Sequence, residues 1–183
     1  GHQESKTMGI TDKISTAAGT APRPFGKRGR QLVRIKMVSF EDPATDPGVT
    51  KASFKIDAQL LAKLDGCDPA AEVGEVYRFN EGCRYDDGFA RVRRSLVALH
   101  NCKALEDGTE PINDEYFKTD NKEENTKRVN ALCRNADQPL RGTLAVIEGI
   151  GIGKGKTFVV YEVEVPNQTN IATSTGGTKT DAG

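Results

Sequence analysis

The chain has 183 residues, which is enough for one domain with a sizeable core, although only 36% of the residues are apolar. Its 26 Lys and Arg balance 26 Asp and Glu, so a polyanionic partner would have to be bound by locally segregated charge. No run approaches the roughly 18 apolar residues of a membrane span, and we expect neither membrane association nor a signal peptide.

Residues 1–29 are predicted to form an irregular N-terminal arm, because small and polar residues dominate there, with Pro22 and Pro24 among them. Gly1-His2 is typical of the remnant of a cleaved expression tag. The arm ends in a basic run from Lys27 to Arg30. We interpret it as a flexible lead into the first strand, with a phosphate-contacting arm as the alternative.

Two strands joined by a turn-rich loop follow the arm. Apolar residues recur at every second position from Val33 to Met37 and again from Ala52 to Ile56. The loop at 41–48 holds two prolines, acids and a glycine, all of them turn residues. This alternation predicts one buried and one solvent-facing side. The solvent-facing side carries four cations: Arg34, Lys36, Lys51 and Lys55.

Charge is segregated along the chain. From Arg23 to Lys55, eight Lys or Arg stand against three acids, a local net charge of +5. Residues 106–124 carry eight acids against two lysines, a net charge of −6. The basic strands favour a polyanion partner, whereas the acidic segment is interpreted as a solvated loop.

The middle of the chain is predicted to add a strand and two helices. Residues 58–64 indicate one or two helical turns, and a third strand over 72–79 places Tyr77 and Phe79 on one face and Arg78 on the other. Helical spacing then predicts a helix over 87–101, with Phe89, Val92, Leu96 and Leu99 on its apolar side. A second helix is expected over 121–135.

Two more strands are predicted at 140–148 and 157–165, and the second alternates most regularly in the chain. The glycine- and lysine-rich linker at 149–156 lacks the spacing and the following helix of a phosphate-binding P-loop. It is either a plain hairpin tip or a tip that contacts phosphate. Residues 166–183 are polar and rich in Gly and Thr, and disorder is expected there.

No constellation of catalytic residues stands out. His100 is the only histidine outside the tag-like start, and the four cysteines lack the close spacing of a zinc site. Nothing points to secretion, so four reduced thiols are expected rather than disulfides. We therefore predict a binding protein that is not an enzyme and has no cofactor or metal.

The element order strand, strand, strand, helix, strand, strand is that of an OB-fold, a five-stranded Greek-key barrel with a helical segment between strands three and four. The domain is predicted to span 30–165, with its helical insertion over about 86–136. In that fold the ligand lies across strands two and three, between the loops that are here 41–50 and 149–156.

On these grounds the chain resembles the OB-fold single-stranded-DNA-binding proteins of bacteriophages over roughly residues 30–165. The resemblance rests on the strand order, on the glycine-lysine hairpin before the last strand, and on the enlarged helical segment. It implies sequence-independent protection of single-stranded DNA in replication or recombination, in the cytoplasm of an infected bacterial host. It also implies replication or recombination proteins as partners and leaves oligomers open. Many such proteins end in an acidic tail with a terminal aromatic, whereas this sequence ends Thr-Lys-Thr-Asp-Ala-Gly. Either that tail is absent or the sequence is truncated.

Lysine and arginine would pair with phosphates, and aromatic rings would stack on bases. Phe54 is expected in the core and Phe158 at the surface, while Tyr77 and Phe79 are left undecided. The predicted DNA-binding residues are Arg34, Lys36, Lys51, Lys55, Tyr77, Arg78, Phe79, Lys154, Lys156 and Phe158.

Two other classes of protein stay open. The first uses the same barrel to bind a protein, for instance as a host-defence inhibitor or a virion component, and a large exposed apolar patch would favour it. The second is a nuclease or other metal enzyme, which would need carboxylates clustered in the groove.

Overall fold

A computed structural model of the chain describes residues 10–16, 27–83, 86–133, 137–156 and 158–172. The protein is mainly β, with one five-stranded antiparallel sheet and helices packed against it. The strands are β1 (Gly29–Glu41), β2 (Ser53–Lys63), β3 (Val76–Gly82), β4 (Leu144–Ile152) and β5 (Phe158–Glu164). Their order in the sheet is β3-β2-β1-β4-β5. Each of the five predicted strands is therefore present, in the predicted chain order.

Strand β2 is longer than expected. The apolar segment 58–64 was predicted to form helical turns, but the strand continues to Lys63, pairing with β1 as far as Gln31↔Lys63. A short apolar run fits a strand and a buried helix equally well. The segment forms a strand because the 13-residue β1 offers it backbone hydrogen-bonding partners.

Strand β1 does not keep a single alternation. Its pairing with β2 shifts at Leu32/Val33 and again between Ile35 and Met37, and a shift of this kind inserts a residue and reverses the faces beyond it. Val33, Ile35 and Val38 are consequently buried. Met37, predicted on the buried face, instead pairs with Asp57 on the opposite side, so that prediction is wrong.

The core lies between the inner face of the sheet and the helices. Phe54 and Ile56 of β2 and Phe79 of β3 point into it, and the expectation that Phe54 is buried is confirmed. Helix α2 (Asp86–Asp107) packs across β5 and buries Leu96 and Leu99 in this core. Phe89, predicted on its apolar side, is about half exposed.

Helix α3 (Lys122–Cys133) buries Cys133, and Val129 and Leu132 pack beside it as predicted. A 3-10 turn at Asp114–Phe117 connects the two helices, and Phe117 is buried. The acidic segment 106–124 thus holds a structural turn as well as solvated carboxylates.

Helix α2 is also tied to the sheet by an ion pair. Arg91 of α2 donates two hydrogen bonds, of 2.9 and 3.2 Å, to the buried Glu81 of β3.

The sheet is open, because no hydrogen-bonded ladder joins β3 to β5 within the described residues. A closed barrel was predicted, and the structure shows an open sheet in its place. The two edge strands nevertheless approach each other on the core side. The rings of Phe79 on β3 and Tyr161 on β5 meet edge to face, with centroids 5.3 Å apart. We call this approach of the two edges the seam.

The two terminal segments are more regular than expected where the structure describes them. Residues Ile10–Thr16 form a helix within the arm predicted to be irregular. Residues 168–172 are helical, and Pro166 and Asn170 are buried in a region predicted to be disordered. Asn167 and Asn170 exchange backbone-to-side-chain hydrogen bonds that cap this turn. Among the helices described, none is long and apolar enough to cross a membrane.

Candidate nucleic-acid interface

The outer face of β2 and β3 is the predicted ligand side of the sheet. Register places Lys55 opposite Asn80 and Asp57 opposite Arg78. These residues alternate with the buried Ile56 and Phe79, so all four point away from the core. The β1–β2 loop lies at one end of this face and the β4–β5 hairpin at the other end.

Arg78 is held in place by a carboxylate. Its Nε and Nη2 donate to the two oxygens of Asp57 at 2.7 and 3.0 Å, a bidentate arrangement. This hydrogen-bonded Asp57 carboxylate raises the pKa of Arg78 above its usual value. The side chain is still about half exposed, so the fixed guanidinium presents its remaining N–H groups to solvent.

Lys27 brings a second cation to Arg78. Its ammonium donates to the Arg78 carbonyl and lies 5.9 Å from the centroid of the Phe79 ring. Burial lowers the pKa of Lys27, the nearby Arg78 lowers it further, and Asp57 opposes both effects. Lys27, two residues before β1, therefore lies across the seam, beside the edge strand β3.

Arg28 connects the same segment to the hairpin by donating to the Lys156 carbonyl. Gly149 of β4 permits this path. A Cβ built on Gly149 would lie 1.7 Å from the Lys27 carbonyl oxygen, closer than any side chain tolerates. Lys27 and Arg28 therefore run directly over the backbone of β4.

The hairpin between β4 and β5 presents two lysines and a ring. Lys154–Lys156 form a 3-10 turn, and Gly153, Gly155 and Lys156 all have positive φ. Phe158 is 69% exposed, which confirms its predicted position at the surface. The ring lies over Gly153, where an added Cβ would approach within 3.3 Å.

A groove opens at the other end of the face, between the β1–β2 loop and the end of β3. It encloses about 830 Å³ and is lined by Lys51, Lys55 and Asn80 among others. Lys55 donates to Glu41 Oε1 at 2.5 Å, and Ser53 donates to the same oxygen at 3.2 Å. These two hydrogen bonds, that from Lys55 first, lower the pKa of Glu41.

Four chain segments thus contribute seven cations to the outer face of β2 and β3, to the groove at one end of it and to the segment and hairpin at the other end. We call this surface the basic face, and its cations are Lys27, Arg28, Lys51, Lys55, Arg78, Lys154 and Lys156.

Four other predicted binding residues take different positions. Phe79 is 2% exposed, so of the two positions left open for it, the structure shows the core. Tyr77, on the same side of β3, packs against the core, and its hydroxyl oxygen accepts from the Glu72 amide. Arg34 donates to the Gly142 carbonyl, five residues along β1 from the hairpin end, or about 17 Å. Lys36 is exposed at the shift in β1.

Lys27 and Arg28 were not among the predicted binding residues. The basic run containing them is visible in the sequence, and a phosphate-contacting arm was one reading of it. What the sequence does not show is that the segment lies between β3 and the hairpin. The glycine at 149 is the one local signal of such a close approach.

Metal chemistry finds no support in the described part of the chain. No group of three His, Cys, Asp or Glu residues is placed to hold a metal ion there. Cys83 and Cys102 are buried, and burial raises the thiol pKa to about 11 and about 12 respectively. These thiols stay neutral at physiological pH and pack as apolar groups.

No protein-family model matches the chain, and a search of curated proteins gives no match.

Proposed function

We propose that this protein binds single-stranded DNA across the basic face and carries out no catalysis. The observation that carries the proposal is the set of cations that four chain segments place along this face, with the exposed ring of Phe158 at its hairpin end. Phosphates would pair with the cations and release counterions, while an unstacked base covers the ring. A duplex keeps its base faces hidden, so the ring favours single strands.

The fold supports this proposal. The strand order β3-β2-β1-β4-β5 is that of an OB-fold opened between β3 and β5, and α2 lies between β3 and β4 in the chain. We propose that the sheet is an OB-like barrel with its seam closed by side chains instead of a ladder. The contact between Phe79 and Tyr161 is the basis for that step.

Binding that depends mainly on phosphates and stacking leaves most of the base sequence unread. Protection of single strands in phage replication or recombination, inside the host cell, is the setting that the resemblance implies. We retain it as part of the proposal.

An anisotropy titration of a labelled thymidine oligomer of about 16 nucleotides, and of a duplex of the same length, tests the proposal. We expect the single strand to bind more tightly and to weaken between about 50 and about 200 mM salt. Equal or tighter binding of the duplex would contradict the proposal, as would an absence of binding at low salt.

One observation favours a second candidate function, the binding of a protein partner. Ile150 and Ile152 of β4 are each more than a third exposed and flank Phe158, their side chains sharing the outer face of the hairpin. Such an apolar strip beside cations also suits an acidic protein segment. Loss of single-strand binding in Phe158→Ala, with Ile150→Ser unchanged, would favour DNA over this candidate.

A further inference from the structure

The groove beside the β1–β2 loop has a floor built by three neighbouring strands. Register aligns Glu41 with Ser53 and Ser53 with Gly82 in one row. The next row contains Lys55 beside Asn80. A Cβ on Gly82 would meet nothing within 4 Å, so the missing side chain leaves the floor open above β3.

The wall formed by the β1–β2 loop is ordered by its own hydrogen bonds. The amides of Thr45 and Asp46 donate to the Asp42 carbonyl, and the Asp42 amide donates to the Asp46 carboxylate at 2.8 Å. Pro43 and Val49 face the groove from this loop. The groove is therefore preformed, with apolar walls over a polar floor, as suits a planar ligand with a polar edge.

The polar groups on the floor form a definite pattern. Both hydrogen bonds that described residues donate to the Glu41 carboxylate go to Oε1, which leaves the acceptor capacity of Oε2 for a ligand. The Lys55 ammonium, bound to that carboxylate, retains further N–H donors. The groove thus offers a carboxylate acceptor directly beside a cationic donor.

Among the four DNA bases, guanine matches this pattern best. Its Watson–Crick edge presents two adjacent donors, N1–H and the N2 amino group, followed by the O6 acceptor. Thymine places carbonyl oxygens on both sides of its single N–H, where they would face the carboxylate. Adenine and cytosine each place an acceptor nitrogen beside the amino group.

We propose that this groove is a guanine-binding pocket, in which Oε2 of Glu41 accepts from N1–H and the N2 amino group while Lys55 donates to O6. The proposal rests on the proposed single-strand binding and adds one base-reading position to an otherwise unspecific surface. Thr50, Lys51 and Asn80 line the groove. In the bound state Lys51 and Thr50 would face the backbone of the DNA strand, and Asn80 would lie beside the base edge.

The test compares a thymidine oligomer of about 16 nucleotides with versions that carry one guanine, one adenine or one cytosine. The guanine is placed at successive positions of the oligomer to find the position that binds in the groove. We expect guanine to tighten binding on the order of tenfold at its best position, and adenine and cytosine to have little effect.

Two variants separate the pocket from general electrostatics. Glu41→Gln keeps the side-chain shape but exchanges one acceptor oxygen for a donor, so we expect it to lose the guanine preference and keep thymidine binding. Glu75→Gln removes the same charge from an exposed site at the opposite end of β3 and should keep the preference.

Thymidine binding without any guanine preference would overturn the pocket and leave the proposed function standing. The same holds if Glu41→Gln retains the preference. No binding to any oligomer at low salt would overturn both proposals together.

Discussion

Phe79 and Tyr161 are the residues through which the two edge strands of the sheet meet. Their rings lie at 88° with centroids 5.3 Å apart, an edge-to-face geometry that adds to the gain from burial. The Lys27 ammonium lies 5.9 Å from the centroid of the Phe79 ring. One buried ring thus connects the core, the opposite edge strand and the basic face.

Replacing this ring tests the seam. We expect Phe79→Ala to lower the free energy of unfolding by about 3–5 kcal/mol, because the ring is buried and a cavity would remain. Urea denaturation followed by circular dichroism measures the change. Phe158→Ala removes an identical but exposed side chain and should leave unfolding nearly unchanged. Equal effects of the two substitutions would mean that the inner and outer faces of the sheet have been assigned wrongly.

The same Phe158→Ala variant should bind single-stranded DNA more weakly. Loss of one stacking platform costs about 1–3 kcal/mol of binding free energy, measured by anisotropy with a thymidine oligomer. Leu105→Ala is the control, since Leu105 is an apolar side chain about half exposed near the end of α2 and lines no part of the groove. A variant at 158 that melts early while its folded fraction binds normally would contradict a surface role for this ring.

The hairpin lysines should contribute to the salt dependence of binding. Lys154→Ala together with Lys156→Ala is expected to weaken binding and to reduce the slope of log K against log salt by about 1.4, at roughly 0.7 per phosphate contact on single strands. Lys122→Ala with Lys127→Ala removes two exposed cations from α3 and should leave the slope unchanged. An unaltered slope in the hairpin variant would identify the hairpin as a turn without phosphate contacts.

The buried neutral acids predict a loss of stability at alkaline pH. Burial raises the pKa of Cys102 to about 12 and of Cys83 to about 11, and it raises the pKa of Tyr161 to about 12, with Glu81 adding to that shift. The folded state therefore holds protons that the unfolded chain releases, from about pH 9 for the thiols. Stability from these groups is complete below that pH and falls as the pH rises toward the folded pKa values.

Urea midpoints measured at about pH 7 and about pH 10 check this expectation. Cys102→Ala removes one of the three groups and should show a smaller fall between the two conditions. A midpoint that rises with pH over this interval would contradict the burial of these groups.

The sequence predicts the individual strands and helices better than it predicts their pairing register and which of their faces are buried. Regular alternation located β2 and β5, and helical spacing located α2 over much of its length. The shift near Lys36 could not be foreseen, because β1 reads as one alternating strand and only its partners reveal the inserted residue. For β3, alternation put Tyr77 and Phe79 on a common face but could not say which face the core would take.

The candidate site was predictable where it depends on a single strand and its loop, as at Lys55 and Phe158. Two carboxylate partners, Glu41 and Asp57, were missed because such ion pairs depend on register between strands. Arg34 was included because it shares a solvent-facing side with Lys55. Its position at the far end of the β1–β4 pairing follows from topology, which composition and alternation do not reveal.

The missing side chain at Gly149 determines where the segment before β1 can lie. The hydrogen atom on its α-carbon leaves just enough space for the carbonyl of Lys27. The positions of Lys27 and Arg28 therefore depend on a residue more than 120 positions further along the sequence. A single methyl group at 149 would displace Lys27 and Arg28 together without altering either residue. The composition of the basic face can thus be changed by a substitution that alters no charge.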